Sequence, residues 1–190
     1  MRDENTGRKP FSLSEIYQII YKAVGANKHF KKAQKEKLVS THLQERLMLA
    51  VTEVNGCRVC SYAHTKWALE AGMKKEEIDN LLSGDLKDTP EDELNAVLFA
   101  QHYADTRGEP DKKTWDLLIE EYGKEKAMGI LAAIKMIMAG NAVGIPYSSL
   151  TDRFKGKSDS GLSLGYEISV MLLIIPMFLT AVFMNLFNRS

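Results

Sequence analysis

Residues 45–72 of the chain read ERLMLAVTEVNGCRVCSYAHTKWALEAG, and this stretch decides the fold class. Apolar residues recur at intervals of three and four on both sides of the Asn55-Gly56 dipeptide, which is the spacing of one helix face. The same spacing continues through most of the 190 residues, without runs of alternating β-branched residues bounded by turn dipeptides. The pattern predicts an all-α protein.

The composition is that of an ordinary globular chain, with 45% apolar and 26% charged residues. Its length suits one compact domain plus an appendage. Twenty-five basic and twenty-five acidic side chains cancel, and no lysine or arginine run is interleaved with aromatic residues. Nucleic acid is therefore excluded as an expected partner.

Helix start and stop signals divide the chain into segments. The predicted helices are 12–25, 41–54, 57–71, 74–84, 90–106, 111–122 and 124–144. The lysine-rich residues 28–38 carry little apolar surface and are expected to form a solvated helix face or a connector. The predicted organisation is an N-terminal helical extension (1–40), a helical domain (41–152), a polar linker (153–163) and a C-terminal anchor (164–187).

The anchor is predicted from LGYEISVMLLIIPMFLTAVFMNLF at 164–187, which has no charge from residue 168 onward. Twenty helical residues span about 30 Å, the thickness of the hydrocarbon core of a bilayer. A buried interface helix is the alternative. Basic residues favour a cytoplasmic side for residues 1–160, since Arg153, Lys155 and Lys157 precede the segment and only Arg189 follows it.

The N-terminus, MRDENTGRKPFS, lacks the apolar stretch of a secretory signal. Together with the charge pattern, this predicts a single-pass protein of the cell membrane whose main domain faces the cytoplasm. In a reducing cytosol, two cysteines spaced C-x-x-C indicate catalysis or metal binding rather than a structural disulfide.

Helix spacing places Cys57, Cys60 and His64 on one side of a helix that begins near Cys57. An imidazole four residues after Cys60 can accept its proton, and the helix N-terminus favours the thiolate. Together these effects are expected to lower the pKa of the thiol from about 8.5 toward neutrality. A thiolate attacks peroxides and disulfides, and the partner cysteine can trap the resulting sulfenic acid.

Two other interpretations of CRVCSYAH remain open at this point. Zinc uses cysteine and histidine ligands, although a structural site needs four, and His29, His42 and His102 are scattered singly along the chain. Alternatively, Cys57 and Cys60 could be small apolar side chains of a buried core helix, and His64 a hydrogen-bonded side chain of the same helix, without a chemical role.

The order Glu45, eleven residues ending in Asn-Gly, Cys57, two residues, Cys60, three residues and His64 resembles a family pattern. It is similar to the alkylhydroperoxidase D-like branch of the carboxymuconolactone decarboxylase family. The resemblance extends from about residue 40 to residue 150, includes Asn141, and implies an all-α domain.

The resemblance also implies roles for the four residues. Glu45 would polarise His64, His64 would deprotonate Cys60, Cys60 would attack a small-molecule hydroperoxide, and Cys57 would resolve the product as a disulfide. No bound cofactor or metal is implied, and the reductant would be an external dithiol of the lipoamide or thioredoxin type. Glu53, at the end of the same helix, remains an alternative to Glu45.

The family commonly forms trimers or hexamers, and the apolar helix over 127–145 likewise predicts a homo-oligomer.

The chain departs from the family pattern at Val59, which stands where hydroperoxidases of this family can carry a second histidine for proton transfer. Efficient peroxide turnover is therefore in question, and a protein disulfide reductase or a membrane-associated redox sensor or adaptor is the rival prediction.

Overall fold

The computed structural model describes residues 9–157 and 161–187 of the chain. Within them the protein is all-α, as the sequence predicts, and contains seven helices and no strand. Their bounds are α1 (Leu13–Lys35), α2 (Thr41–Asn55), α3 (Arg58–Glu70), α4 (Lys75–Leu81), α5 (Glu91–Asp105), α6 (Lys112–Phe154) and α7 (Leu164–Phe187).

Helix α6 is the centre of the fold and packs against α1, α2, α3, α5 and α7. Its backbone departs from helical geometry at Gly123 (φ 72°, ψ 154°), where the sequence predicts the boundary between two helices. Beyond the predicted end at residue 144 it continues through Pro146 to Phe154. A proline removes one helical hydrogen bond, but Ser148 and Ser149 in the following turn are buried and keep this part of the helix packed.

Helix α1 corrects the prediction that a helix closes near Gly25. It runs ten residues further, to Lys35, because Ala26 and, within the lysine-rich segment, Ala33 are buried and keep this part of the helix packed. A Cβ at Gly129 of α6 would lie 2.6 Å from the Cβ of Ala33, so the two helices approach closely at this point.

Helix α2 is buried on most of its faces and carries a charged residue into the core. Arg46 donates from Nε to Glu77 of α4 at 2.6 Å and from NH1 to Glu93 of α5 at 2.7 Å. A buried charge is tolerated when it is paired in this way. The three helices are thus held around one guanidinium group.

Helix α7 packs along α1 and α6. Glu167 in its first turn is fully buried, accepts hydrogen bonds from Ser149, and pairs with Arg153 at 3.0 Å. Tyr166 donates to the carbonyl of Phe11 at 2.6 Å.

Two helices of the described residues, α6 and α7, are long and apolar enough to cross a membrane by length and composition alone. Of the most apolar window in each helix, 56% is buried in α6 and 11% in α7. Helix α6 is therefore a core helix, whereas α7 could span a membrane. The topology prediction also uses residues 1–8 and Arg189, which lie outside the described residues, as do residues 158–160 of the predicted linker.

Candidate functional site

The turn between α2 and α3 sets the position of the two cysteines. Gly56 ends α2 in the left-handed conformation (φ 70°), and its N–H donates to the carbonyl of Thr52 at 2.8 Å. A glycine adopts this conformation without the steric cost that a Cβ imposes. Cys57 is then the N-cap of α3, and Cys60 is the third residue of that helix.

Cys57 and Cys60 form a disulfide, with their Cα atoms 5.3 Å apart. Both are buried, and their sulfur atoms lie against the backbone of Gly144 in α6. A Cβ at Gly144 would come within 2.7 Å of the Cys57 sulfur and 2.9 Å of the Cys60 sulfur. Only a residue without a side chain fits between α6 and this disulfide.

His64 lies one turn after Cys60 on the buried side of α3. Its Nδ1 is 2.7 Å from Oε2 of Glu45, and both side chains are more than nine-tenths buried. The structure therefore brings together Glu45, His64 and the two cysteines. The carboxylate of Glu53 lies beside Gly84, where a Cβ would be 3.5 Å from its Oε1.

Trp67 also contacts His64. Its ring meets the His64 ring edge-on, with centroids 4.9 Å apart and an interplanar angle of 84°. The indole is half exposed. The histidine is thus oriented by a carboxylate and by an aromatic ring, two contacts that restrict its rotation.

Asn141 joins the site to the central helix. It is fully buried, accepts a hydrogen bond from Thr52 Oγ1 at 3.2 Å, and donates to the carbonyl of Val51 at 3.4 Å. These bonds hold α6 against α2 one turn before Gly144. Sequence reasoning noted Asn141 but missed Thr52 and Gly144. The signal that could have found Gly144 was its place one turn after Asn141, since a small residue near a buried polar one in a mostly apolar helix indicates a close approach.

The rim of the site combines exposed apolar and aromatic side chains with one ion pair. Val59, beside the disulfide, is 38% exposed, and a Cβ at Gly144 would approach its Cγ1 to 3.0 Å. Tyr62 is 76% exposed on the outer side of α3. Arg58, at the start of α3, is paired with Asp152 of α6. An organic molecule or a partner chain can reach this rim without displacing the core.

Among residues 9–157 and 161–187, no group of three or more His, Cys, Asp or Glu side chains is arranged to hold a metal ion. As a disulfide, the two sulfur atoms have no thiolate charge to offer a metal, because metal binding needs the deprotonated thiol.

Comparison with known proteins gives one match. The model of the carboxymuconolactone decarboxylase family matches residues 23–86, about a third of the chain. This segment includes Glu45, Cys57, Cys60 and His64 and ends before α6. No curated protein and no solved structure matches the chain.

Proposed function

We propose that this protein is a thiol-dependent oxidoreductase of the alkylhydroperoxidase D-like type, which reduces hydroperoxides through a Cys57–Cys60 dithiol/disulfide cycle. The observation that carries the proposal is the geometry of α3. It has a disulfide-bonded cysteine pair at the helix N-terminus and, one turn further, a buried histidine held by a carboxylate at 2.7 Å. The family match over residues 23–86 supports it.

In the reduced protein, His64 takes the proton of Cys60 as general base, while Glu45 holds the imidazole at Nδ1 and fixes its orientation. The positive end of the helix dipole at the start of α3 favours the thiolate. The thiolate then attacks one peroxide oxygen. An S–O bond forms, the O–O bond breaks, and the leaving alkoxide takes a proton from His64 or from water.

The sulfenic acid on Cys60 is resolved by Cys57. The Cys57 sulfur attacks that of Cys60, the disulfide forms, and water leaves. An external dithiol of the lipoamide or thioredoxin type then supplies two electrons and two protons to restore both thiols. No bound cofactor takes part in this cycle.

The first experiment is turnover of an organic hydroperoxide by the full chain in detergent with dihydrolipoamide as reductant. Cys60→Ser should abolish turnover, and His64→Ala should lower it by about 10²-fold or more, the usual contribution of a general base. Glu45→Gln should slow turnover and shift its pH profile. Glu53→Gln, in the same helix, is the matched control and should leave both unchanged. Full turnover by Cys60→Ser would overturn the proposal.

A second candidate function is disulfide reduction, or redox sensing as an adaptor, without peroxidase turnover. Val59 and the exposed Tyr62 favour it, because valine cannot transfer a proton and an exposed aromatic ring suits contact with a protein partner. Rapid formation and reduction of the disulfide with no hydroperoxide consumption would select this alternative.

We also propose that α7 attaches the protein to the cell membrane, with the thiol site on the cytoplasmic side. The low burial and high hydropathy of α7 support attachment. Recovery of the full chain in the soluble fraction after lysis without detergent would refute it. Protease access to a C-terminal tag in sealed cells would test whether α7 spans the bilayer in the proposed direction.

Self-association as a trimer or hexamer is a further proposal. It is supported by exposed apolar side chains on α3 and α6, including Leu69, Tyr147 and Phe154. Light scattering of the full chain in detergent, corrected for bound detergent, should give three or six times the monomer mass. A monomer mass would contradict it.

A further inference from the structure

A groove of about 690 Å³ lies between α1, α6 and α7, away from the thiol site. Its walls include Ile20 and Val24 of α1, Met136 and Ala139 of α6, and Ile175 and Phe178 of α7. None of the described side chains that line it is charged. Such a surface is favourable only for an apolar occupant.

The dimensions of the groove indicate a small, elongated molecule. Its volume falls within the range of about 300–1,000 Å³ that is typical of small-molecule sites. The lining of α7 extends from Ile174 to Leu186, which at 1.5 Å per residue is about 18 Å of helix. A further helix, about 10–12 Å across with its side chains, is a poor match to a slot of this volume. A hydrocarbon chain matches it.

The polar groups of the groove lie together at one end. Asn185 donates to the carbonyls of Tyr21 at 3.2 Å and Ala181 at 2.9 Å. Its Oδ1 lies 2.6 Å from where a Cβ at Gly25 would be, which places Asn185 close to Asn27 on α1. Both N–H groups of Asn185 are engaged by these two carbonyls, whereas the side-chain amide of Asn27, which also lines the groove, can donate to an ester carbonyl. The rest of the lining, which includes Met136, Ala139 and Val143 of α6, is apolar.

The groove is continuous with the exposed apolar face of α7. Ile175, Phe178 and Leu186 line the groove and are at the same time 68%, 51% and 61% exposed. Only one layer of side chains therefore separates the groove from the surface proposed to meet the membrane. We propose that the groove takes up one acyl chain of a membrane phospholipid, with its ester end at Asn27. This inference does not depend on the thiol chemistry.

The proposal can be tested by photolabelling the full chain in phosphatidylcholine vesicles that contain a small fraction of phosphatidylcholine with a diazirine in one acyl chain. After irradiation, mass spectrometry should find lipid adducts on residues 20–24 of α1 and 136–143 of α6 as well as on α7. Adducts confined to α7 would overturn the proposal, because bilayer contact alone explains those. Loss of the α1 and α6 adducts as the protein-to-lipid ratio rises would also overturn it, in favour of a second copy of the chain.

Ala139→Phe should fill the groove and reduce the α1 and α6 adducts at least tenfold, while adducts on α7 persist. The matched control is Leu179→Phe, on the outer face of α7 and outside the groove lining, which should keep all adducts. If Ala139→Phe labels like the wild type, the proposal fails. Ala139→Leu, a smaller change, gives a partial loss if the larger variant does not fold.

The Cys57→Ser/Cys60→Ser double variant separates this proposal from the proposed enzyme. It should label like the wild type although it cannot turn over hydroperoxide. A loss of the α1 and α6 adducts in this variant would overturn the independence of the groove from the thiol site.

Discussion

At the scale of single residues, the tightest constraint on the thiol site is the approach of Gly144 to the disulfide. The backbone of α6 occupies the space that a side chain on residue 144 would need, since both sulfur atoms and Val59 lie within 3.0 Å of its Cβ position. When the disulfide is reduced, the two sulfur atoms are no longer joined and can rotate apart. The constraint is therefore strongest in the oxidised protein.

Gly144→Ala is expected to destabilise the oxidised protein by about 1–3 kcal/mol, the usual cost of an overpacked core. The reduced protein should lose less, so the variant should be easier to reduce than the wild type. Urea unfolding with and without reductant, and redox titration against glutathione, measure the two effects.

Gly140→Ala is the control, one turn earlier in the same helix. Its Cβ would make only an ordinary contact, 3.7 Å from Ile137 Cδ1, and alanine in a helix interior is favoured over glycine by roughly 0.5–1 kcal/mol. This variant should be as stable as the wild type or more so in both redox states. Equal loss in both redox states of Gly144→Ala would contradict the steric argument.

At the scale of elements, the start of α1 is held to the end of α5 by one arginine. Arg107 donates to Glu15 at 2.8 Å and to the carbonyl of Lys9 at 3.0 Å, and its guanidinium lies 4.3 Å from the centroid of the Phe11 ring. Glu15 also accepts a hydrogen bond from the backbone of Ser12 and so completes a capping box.

These contacts make the first turn of α1 sensitive to acid. The hydrogen bond from Arg107, together with the bonds from Ser12, lowers the pKa of Glu15 from 4.5 to about 2. A depressed pKa contributes stability that is present above pH 4.5 and is lost as the pH falls toward 2. The carboxylate is partly exposed, so solvent screens the effect and only a fraction of it should reach the unfolding free energy.

The thermal midpoint of the wild type should therefore fall between pH 5 and pH 2 more steeply than that of Glu15→Gln. Calorimetry at several pH values measures this difference. Glu70→Gln, which removes an exposed carboxylate 3.8 Å from Lys66, is the control and should follow the wild type. A pH dependence that is unchanged by Glu15→Gln would refute the assignment.

At the scale of the whole molecule, α7 has two apolar faces with different roles. One face packs on α1 and α6, where Val170 and Ala181 are buried. The other is exposed; its large residues include Leu172, Leu179 and Phe183. A helix packed in this way has its outer face available to a membrane. Spanning the bilayer would require α7 to separate from α1, because α1 carries charged side chains that are costly to place inside a membrane. Two of them, Lys22 and Lys32, form ion pairs with Glu109 and Glu125.

Leu179→Lys should reduce the share of the protein in the membrane pellet, because a lysine costs about 2.5–3.5 kcal/mol at the centre of a membrane-spanning helix and less near the interface. Sedimentation of lysates without detergent measures this share. Leu69→Lys, at an exposed position on α3, is the control and should sediment like the wild type. An unchanged pellet fraction for Leu179→Lys would show that the outer face does not hold the protein at the membrane.

Much of the fold could be predicted because its determinants are local. The Asn55-Gly56 turn, the capping residues and the apolar spacing put α2 and α3 within one residue of their observed bounds. What could not be predicted rests on contacts distant in sequence. Ala33 extends α1 by packing on Gly129, and Arg46 is buried because acidic residues of two later helices surround it.

By itself, the sequence determined an all-α chain, a helix that begins at a cysteine pair with a histidine one turn on, and an apolar C-terminal helix, since periodicity and capping act within a few residues. Only the tertiary structure decided that Glu45 lies 2.7 Å from His64, that Gly144 closes over the disulfide, and that α7 forms one wall of a groove. These features depend on how α2 crosses α3 and how α6 and α7 cross their neighbours, and helix crossings are set by side-chain packing over the whole core rather than by local preference.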